Sequence, residues 1–204
     1  MPRCFIALPI PPATRQALLR VQLHLMDSEF AATCPLRPTP ESNLHLTLKF
    51  LGDTTDAQLH QLTEHLEELA SRVTLPTVHA RGVGAFPSPT APRAVFAEIV
   101  QGVSSLQQLG THLDELCLPL GFAPETRRRH PHITLARVKG RPRGQPPTPL
   151  TPWLQGQQDV PFGPLCEEPG PNAPLLTLYT SELGPEGAVY HPLHSYPLNG
   201  QEKL

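Results

Sequence analysis

The chain has 204 residues, 39% of them hydrophobic and 17% charged, with a formal net charge of −2. That balance supports a sizeable core and excludes a chain held open by charge. No apolar run approaches the roughly 20 residues of a bilayer-spanning helix. The four cysteines, Cys4, Cys34, Cys117 and Cys166, lack C-x-x-C spacing and read as reduced thiols, not a disulfide framework or zinc site.

Arg3 to Pro9 reads as a first strand, too short in its apolar stretch for a signal peptide. A cytoplasmic location is the expectation. Ala17, Leu18, Val21 and Leu25 then mark a helix. The prolines of Cys34 to Pro40 forbid a helix and predict an extended loop. A strand follows from Leu44 to Leu51, stopped at Gly52-Asp53. A helix capped by Thr54, Thr55 or Asp56 carries Leu59, Leu62, Leu66 and Leu69 on one stripe. Pro76 to Phe86 and Arg93 to Val100 read as antiparallel partners across a proline-punctuated loop. Val103, Leu106, Leu109, Leu113 and Leu116 mark a third helix. The strand His132 to Val138 precedes Lys139 to Pro152, rich in Pro, Gly and Arg and expected as a surface loop. Leu175 to Leu183 and Val189 to Leu198 close the chain as strands around Gly184-Pro185-Glu186-Gly187. Interleaved strands and helices with frequent hairpin-like pairs predict an α+β fold of two similar lobes, each a small sheet packed against helices.

One pattern occurs twice. Leu44-His45-Leu46-Thr47-Leu48 and Pro131-His132-Ile133-Thr134-Leu135 each read apolar, His, apolar, Thr, apolar, with the histidines 87 positions apart. Side chains alternate along a strand, so each copy presents an imidazole and a hydroxyl on one face. Two such pairs across one cleft can share general acid and base work near neutral pH while the hydroxyls hold an anionic centre. The arrangement suits in-line displacement at phosphorus and requires no metal, and the chain has no H-E-x-x-H or EF-hand pattern. Around the second copy, Arg127 to Arg143 holds seven basic residues and no acidic one, which fits an anionic ligand. His60 and His65 have the wrong spacing for a shared ligand and His24, His79 and His112 have no evident partner, whereas His191 and His194 could lie near a site, though a structural or solvent role is the expectation. His130 is expected at most at a cleft edge.

Asn43 to Gly52 and Pro131 to Arg137 resemble the paired motifs of the 2H phosphoesterase superfamily, above all its RNA 2′,3′-cyclic phosphodiesterase family, also called the LigT or 2′-5′ RNA ligase family. Cys4 to Leu8 and Leu176 to Leu183 are similar to that family too. The resemblance implies a single bilobal α+β domain over residues 1–204, with two pseudo-symmetric lobes around a central cleft. It implies metal-free, cofactor-free opening of a 2′,3′-cyclic phosphate on RNA or a nucleotide, leaving a 2′-phosphate. His45 matches the proton donor to the 3′ oxygen, His132 the base that activates water, and Thr47 and Thr134 the phosphate-holding hydroxyls. Run backwards, this chemistry makes a 2′-5′ linkage.

Phe50 and Arg137 stand five residues after their histidines and resemble positions that contact the terminal base. Strict alternation would put both on the wrong face, so each requires a strand end or a bulge. Gripping of the RNA backbone by Arg127 to Arg129 and the stretch from Lys139 is a further expectation. Two other readings stay open on the sequence: a nucleotide- or RNA-binding module with little turnover, or another 2H activity on 2′-5′ oligoadenylates or an ADP-ribose cyclic phosphate. A monomer is expected, since no coiled-coil pattern or long apolar surface stripe is present.

Overall fold

The computed structural model describes residues 1–140, 149–167, 173–184 and 187–204. In chain order the elements are β1 (Arg3–Pro9), α1 (Pro12–Met26), α2 (Glu29–Thr33), β2 (Leu36–Pro38), β3 (His45–Asp53), α3 (Asp56–Arg72), β4 (Val73–Thr74), β5 (Val78–Phe86), β6 (Ala94–Gln101), α4 (Val103–Cys117), β7 (His132–Val138), α5 (Thr151–Gln155), β8 (Pro161–Cys166), β9 (Leu175–Gly184), β10 (Gly187–Pro197) and β11 (Glu202–Lys203). Short 3-10 turns lie at Glu41–Asn43 and Leu118–Leu120.

Local chemistry accounts for the main helices. Pro12 opens α1, where its missing N–H costs nothing. Thr55 caps α3 in a reciprocal box with Gln58. Glu64, Glu67 and Glu68 face solvent while Leu62, Leu66 and Leu69 are buried, as the periodicity predicts.

Eight strands form one antiparallel path, β10-β9-β1-β3-β7-β6-β5-β8, which reads as two four-stranded halves joined edge to edge at β3 and β7, while β4 and β11 pair parallel apart from it. The join is slender. β3 and β7 share one register pair, Leu46 with Ile133, the central residues of the two motifs. Beyond it the strands part, and β2 takes the vacated edge of β7 by pairing Leu36–Pro38 with Val138–Ala136. Leu46 and Ile133 are fully buried in one core with Leu18 and Leu106, so the motif histidines and threonines face the other way. Truncating either to alanine would cost about 2–5 kcal/mol.

The helices cross over between the halves. α1 follows β1 but packs on β8 and β7 of the other half, whereas α4 follows β6 and packs on β3. Thr14 on α1 donates to the Pro164 carbonyl of β8 at 2.6 Å.

Several elements escape the sequence reading, among them α2, β4, α5 and β11; β2 and β8 show why. β8 is an edge strand containing Pro161 and Pro164, and proline weakens any strand signal even though an unpaired edge tolerates it. β2 lies within the stretch expected as a loop. The turn residues Pro185 and Glu186, and most of the basic stretch after Lys139, lie outside the described residues.

Candidate active site

Both motif strands carry the same irregularity. The pairing of β1 with β3 runs Ala7 to Thr47 and then Ile6 to Lys49, leaving Leu48 as an extra residue. The pairing of β6 with β7 runs Phe96 to Thr134 and then Val95 to Ala136, leaving Leu135 as the extra one. Each β-bulge falls three residues after its histidine and reverses the alternation. Leu48 and Lys49 are therefore both buried, as are Leu135 and Ala136. Phe50 and Arg137 consequently return to the face of the histidines, where both line the cleft. Phe50 is 70% exposed there.

Each bulge is anchored by the crossed helix. Buried Gln22 on α1 donates to the carbonyl of Leu135 at 2.7 Å and to that of Thr39 at 2.8 Å. On the other side the bulge turns Lys49 inward, where it is 5% exposed. Its ammonium donates to Asp114 Oδ1 on α4 at 2.6 Å and to the Ala123 carbonyl at 2.9 Å. Arg129 donates to the second Asp114 oxygen and to the Gly110 carbonyl. Burial opposes ionisation of Asp114, yet the hydrogen bonds from Arg129 and Lys49 hold its carboxyl below the usual range. Gly110 is required here, because a Cβ would collide with the Arg129 side chain. Arg129 thus braces the segment leading to His132 and does not reach outward with Arg127 and Arg128, which corrects the expectation for this tract.

The imidazoles are held identically. His45 Nδ1 lies 2.7 Å from the Asn43 carbonyl and His132 Nδ1 lies 2.8 Å from the His130 carbonyl. A carbonyl only accepts, so each Nδ1 carries the proton and Nε2 is left for chemistry. Their surroundings differ. His45 packs against Phe5 and Tyr190 at 4.9 and 5.3 Å between ring centres. His132 packs against Phe86 and Phe96 at 5.0 and 5.3 Å. His45 Nε2 also meets Thr47 Oγ1 at 2.8 Å; among the described residues Thr134 makes no matching bond to His132. Burial pushes both imidazoles below their ordinary value. The carbonyl bonds work the other way, while Arg137 adds to the lowering at both.

The cleft of about 380 Å³ between the halves brings together His45, Thr47, Phe50, His132, Thr134 and Arg137. Arg37 and Tyr190 line it as well, and the sequence reading missed both. Arg37 sits opposite Arg137 in the β2–β7 register, and its signal lay in the extended Pro-bracketed segment. Tyr190 on β10 carried none. His130 contributes its carbonyl, and its ring contacts Phe86 and Phe96. Exposed His191 and His194 are not among the cleft residues. All four cysteines are buried free thiols, and burial pushes Cys117 up to about 11. No described helix is long and apolar enough to cross a membrane.

A family model described as LigT like Phosphoesterase matches residues 8–96 and 99–156. An RNA 2′,3′-cyclic phosphodiesterase of Aeropyrum pernix is 30% identical over 171 residues, covering 84% of this chain and 91% of that protein. A protein of the same name from Thermus thermophilus is 31% identical, covering 98% of this chain and 91% of its own. Among solved structures, a Thermus thermophilus protein superposes with a TM-score of 0.75 at 28% identity, over 98% of this chain and all of that one. E. coli LigT complexed with 3′-AMP gives 0.68 at 25% identity, over 97% of this chain and 98% of that one.

Proposed function

The chain belongs to the LigT-like phosphoesterase family, and from that premise we propose that it is an RNA 2′,3′-cyclic phosphodiesterase. The observation that carries the reading is the pair of carbonyl-clamped imidazoles facing one cleft, each with a hydroxyl two residues on and Nε2 left to move a proton. In the proposed reaction the cyclic phosphate sits between the two histidines. His132 Nε2 takes a proton from water, the water oxygen attacks phosphorus, and the bond to the 3′ oxygen breaks. His45 Nε2, protonated beforehand, gives its proton to that oxygen, leaving a 2′-phosphate. Thr47 and Thr134 donate to the nonbridging oxygens, and Phe50 and Arg137 take the terminal base by stacking and cation–π contact. The reverse reaction joins a cyclic end to a 5′-hydroxyl through a 2′-5′ bond. The same reading takes residues 1–204 as one bilobal domain, acting as a monomer on RNA or nucleotide ends in the cytoplasm.

The test is product analysis on an oligoribonucleotide with a 2′,3′-cyclic phosphate end, in EDTA, beside His45→Ala and His132→Ala. Conversion to a 2′-phosphate by the native protein, lost in both variants, supports the scheme. A 3′-phosphate product refutes the assigned leaving oxygen. Binding without turnover moves the assignment to an RNA-binding module. Turnover only of 2′-5′ oligoadenylates or an ADP-ribose cyclic phosphate moves it to another member of the superfamily.

A further inference from the structure

A second cavity of about 430 Å³ opens from the same centre. It shares Thr47, Phe50 and His132 with the cleft and then runs away from Arg137 towards the segment before β7. Its far walls include Phe86, Arg127 and Arg128. Both arginines are exposed, and no salt bridge engages either among the described residues. The acidic residue at this wall, Glu125, accepts a hydrogen bond from the backbone N–H of Arg127. Neighbouring Arg129 is tied down on Asp114, so the segment bearing the two arginines is fixed at its base. Phe50 stands on the partition and lines both cavities, whereas Arg137 lines only the first.

On the proposed function, a base held between Phe50 and Arg137 occupies the first cavity, and the cyclic phosphate lies at the histidines. The second cavity, which adjoins that centre through Thr47, Phe50 and His132, then offers a path for the 5′ side of the terminal ribose. We propose that the second cavity receives the nucleotide preceding the cyclic end, with Arg127 and Arg128 on the connecting phosphates and Phe86 offering an apolar wall to the penultimate base. Two unpaired guanidiniums beside an aromatic surface match a polyanionic strand carrying flat bases, a combination absent from a mononucleotide. The enzyme is thereby built for RNA ends, with preference set by the phosphates upstream of the reacting one.

This inference rests on the proposed activity, so the experiment keeps the two apart. kcat/KM is measured for a nucleoside 2′,3′-cyclic monophosphate and for a trinucleotide with the same cyclic end, using the native protein, Arg127→Ala/Arg128→Ala and Arg127→Lys/Arg128→Lys. The native protein is expected to favour the trinucleotide about tenfold or more, and the alanine pair to bring that ratio close to one. The lysine pair should restore most of it. For the trinucleotide, the slope of log KM against log salt should fall by about 0.7 for each phosphate no longer neutralised. A native ratio near one, or an equal loss on both substrates in the alanine pair, overturns the subsite and leaves the activity standing. Turnover of neither substrate by the native protein refutes the activity itself.

Discussion

The two halves solve one problem with different materials. β3 and β7 each place His and Thr on one face, bulge at the next apolar residue, and fix Nδ1 on a carbonyl two residues back. What stands behind each bulge differs. On β7 the residue after the bulge is Ala136, and the brace is a neutral amide, Gln22, bonded to a backbone carbonyl. On β3 that residue is Lys49, and the brace is a buried charge cluster with Asp114 and Arg129. The first tolerates small change, because an amide–carbonyl bond is worth about 1 kcal/mol net. The second is all or nothing, since removing one partner strands a buried charge. The shells differ in the same spirit: His45 is enclosed by rings that include two tyrosines, Tyr179 and Tyr190, while His132 has phenylalanines and the His130 ring beside it.

The comparison is broken most severely at the histidines. His45→Ala and His132→Ala should each lower kcat by about 10²–10⁴-fold, the usual worth of a general acid or base. The pH profiles should then separate the equivalent residues: His132→Ala loses the acid limb, where a base must be deprotonated, and His45→Ala the alkaline limb. If both variants lose the same limb, the assignment of roles fails. In the native protein both imidazoles titrate below the ordinary value of about 6.5 because they are buried, so kcat/KM should peak below that pH. The bound phosphate anion favours imidazolium, so the kcat profile should lie to the alkaline side of the kcat/KM profile. Coincident profiles would show that the substrate's charge does not reach the imidazoles.

Next in size is the brace. Asp114→Ala should destabilise by about 3–5 kcal/mol in urea unfolding, because Lys49 and Arg129 lose their shared partner. Gln22→Ala should cost nearer 1–3 kcal/mol, leaving a buried carbonyl underbonded. Equal losses would erase the distinction between the halves. Smallest is the hydroxyl pair. Thr47→Val should reduce kcat more than Thr134→Val, by about tenfold, since only Thr47 also bonds its histidine. A larger effect at Thr134 would reverse that ranking.

The two His–Thr pairs sharing a face were legible because a period of two needs nothing beyond the strand itself, and both strands begin at the histidine. Lys49 shows where reading by alternation stops. In sequence it is a charged residue on a strand tail, and a bulge set by pairing with β1 turns it into the core. Phe50 and Arg137 posed the same difficulty in reverse, since their facing depends on one unpaired residue that composition does not reveal. Helix stripes such as Leu62, Leu66 and Leu69 were readable throughout. The long-range braces were not, because Gln22 to Leu135 and Lys49 to Asp114 join residues that no local pattern connects.

The register of β1 fixes when the site can be finished. Phe5, whose ring packs tilted against His45, pairs with Phe50 on one side and with Tyr179 on the other, and Tyr190 follows on β10. During synthesis the second partner emerges only after the whole β5–β8 half has left the ribosome. The His132 half can therefore settle around α1 while the His45 half still waits for its last two strands. Folding should be slow for this length, dominated by contacts of high sequence separation. A chain stopped before β9 should yield protein with one histidine in place and no completed cleft.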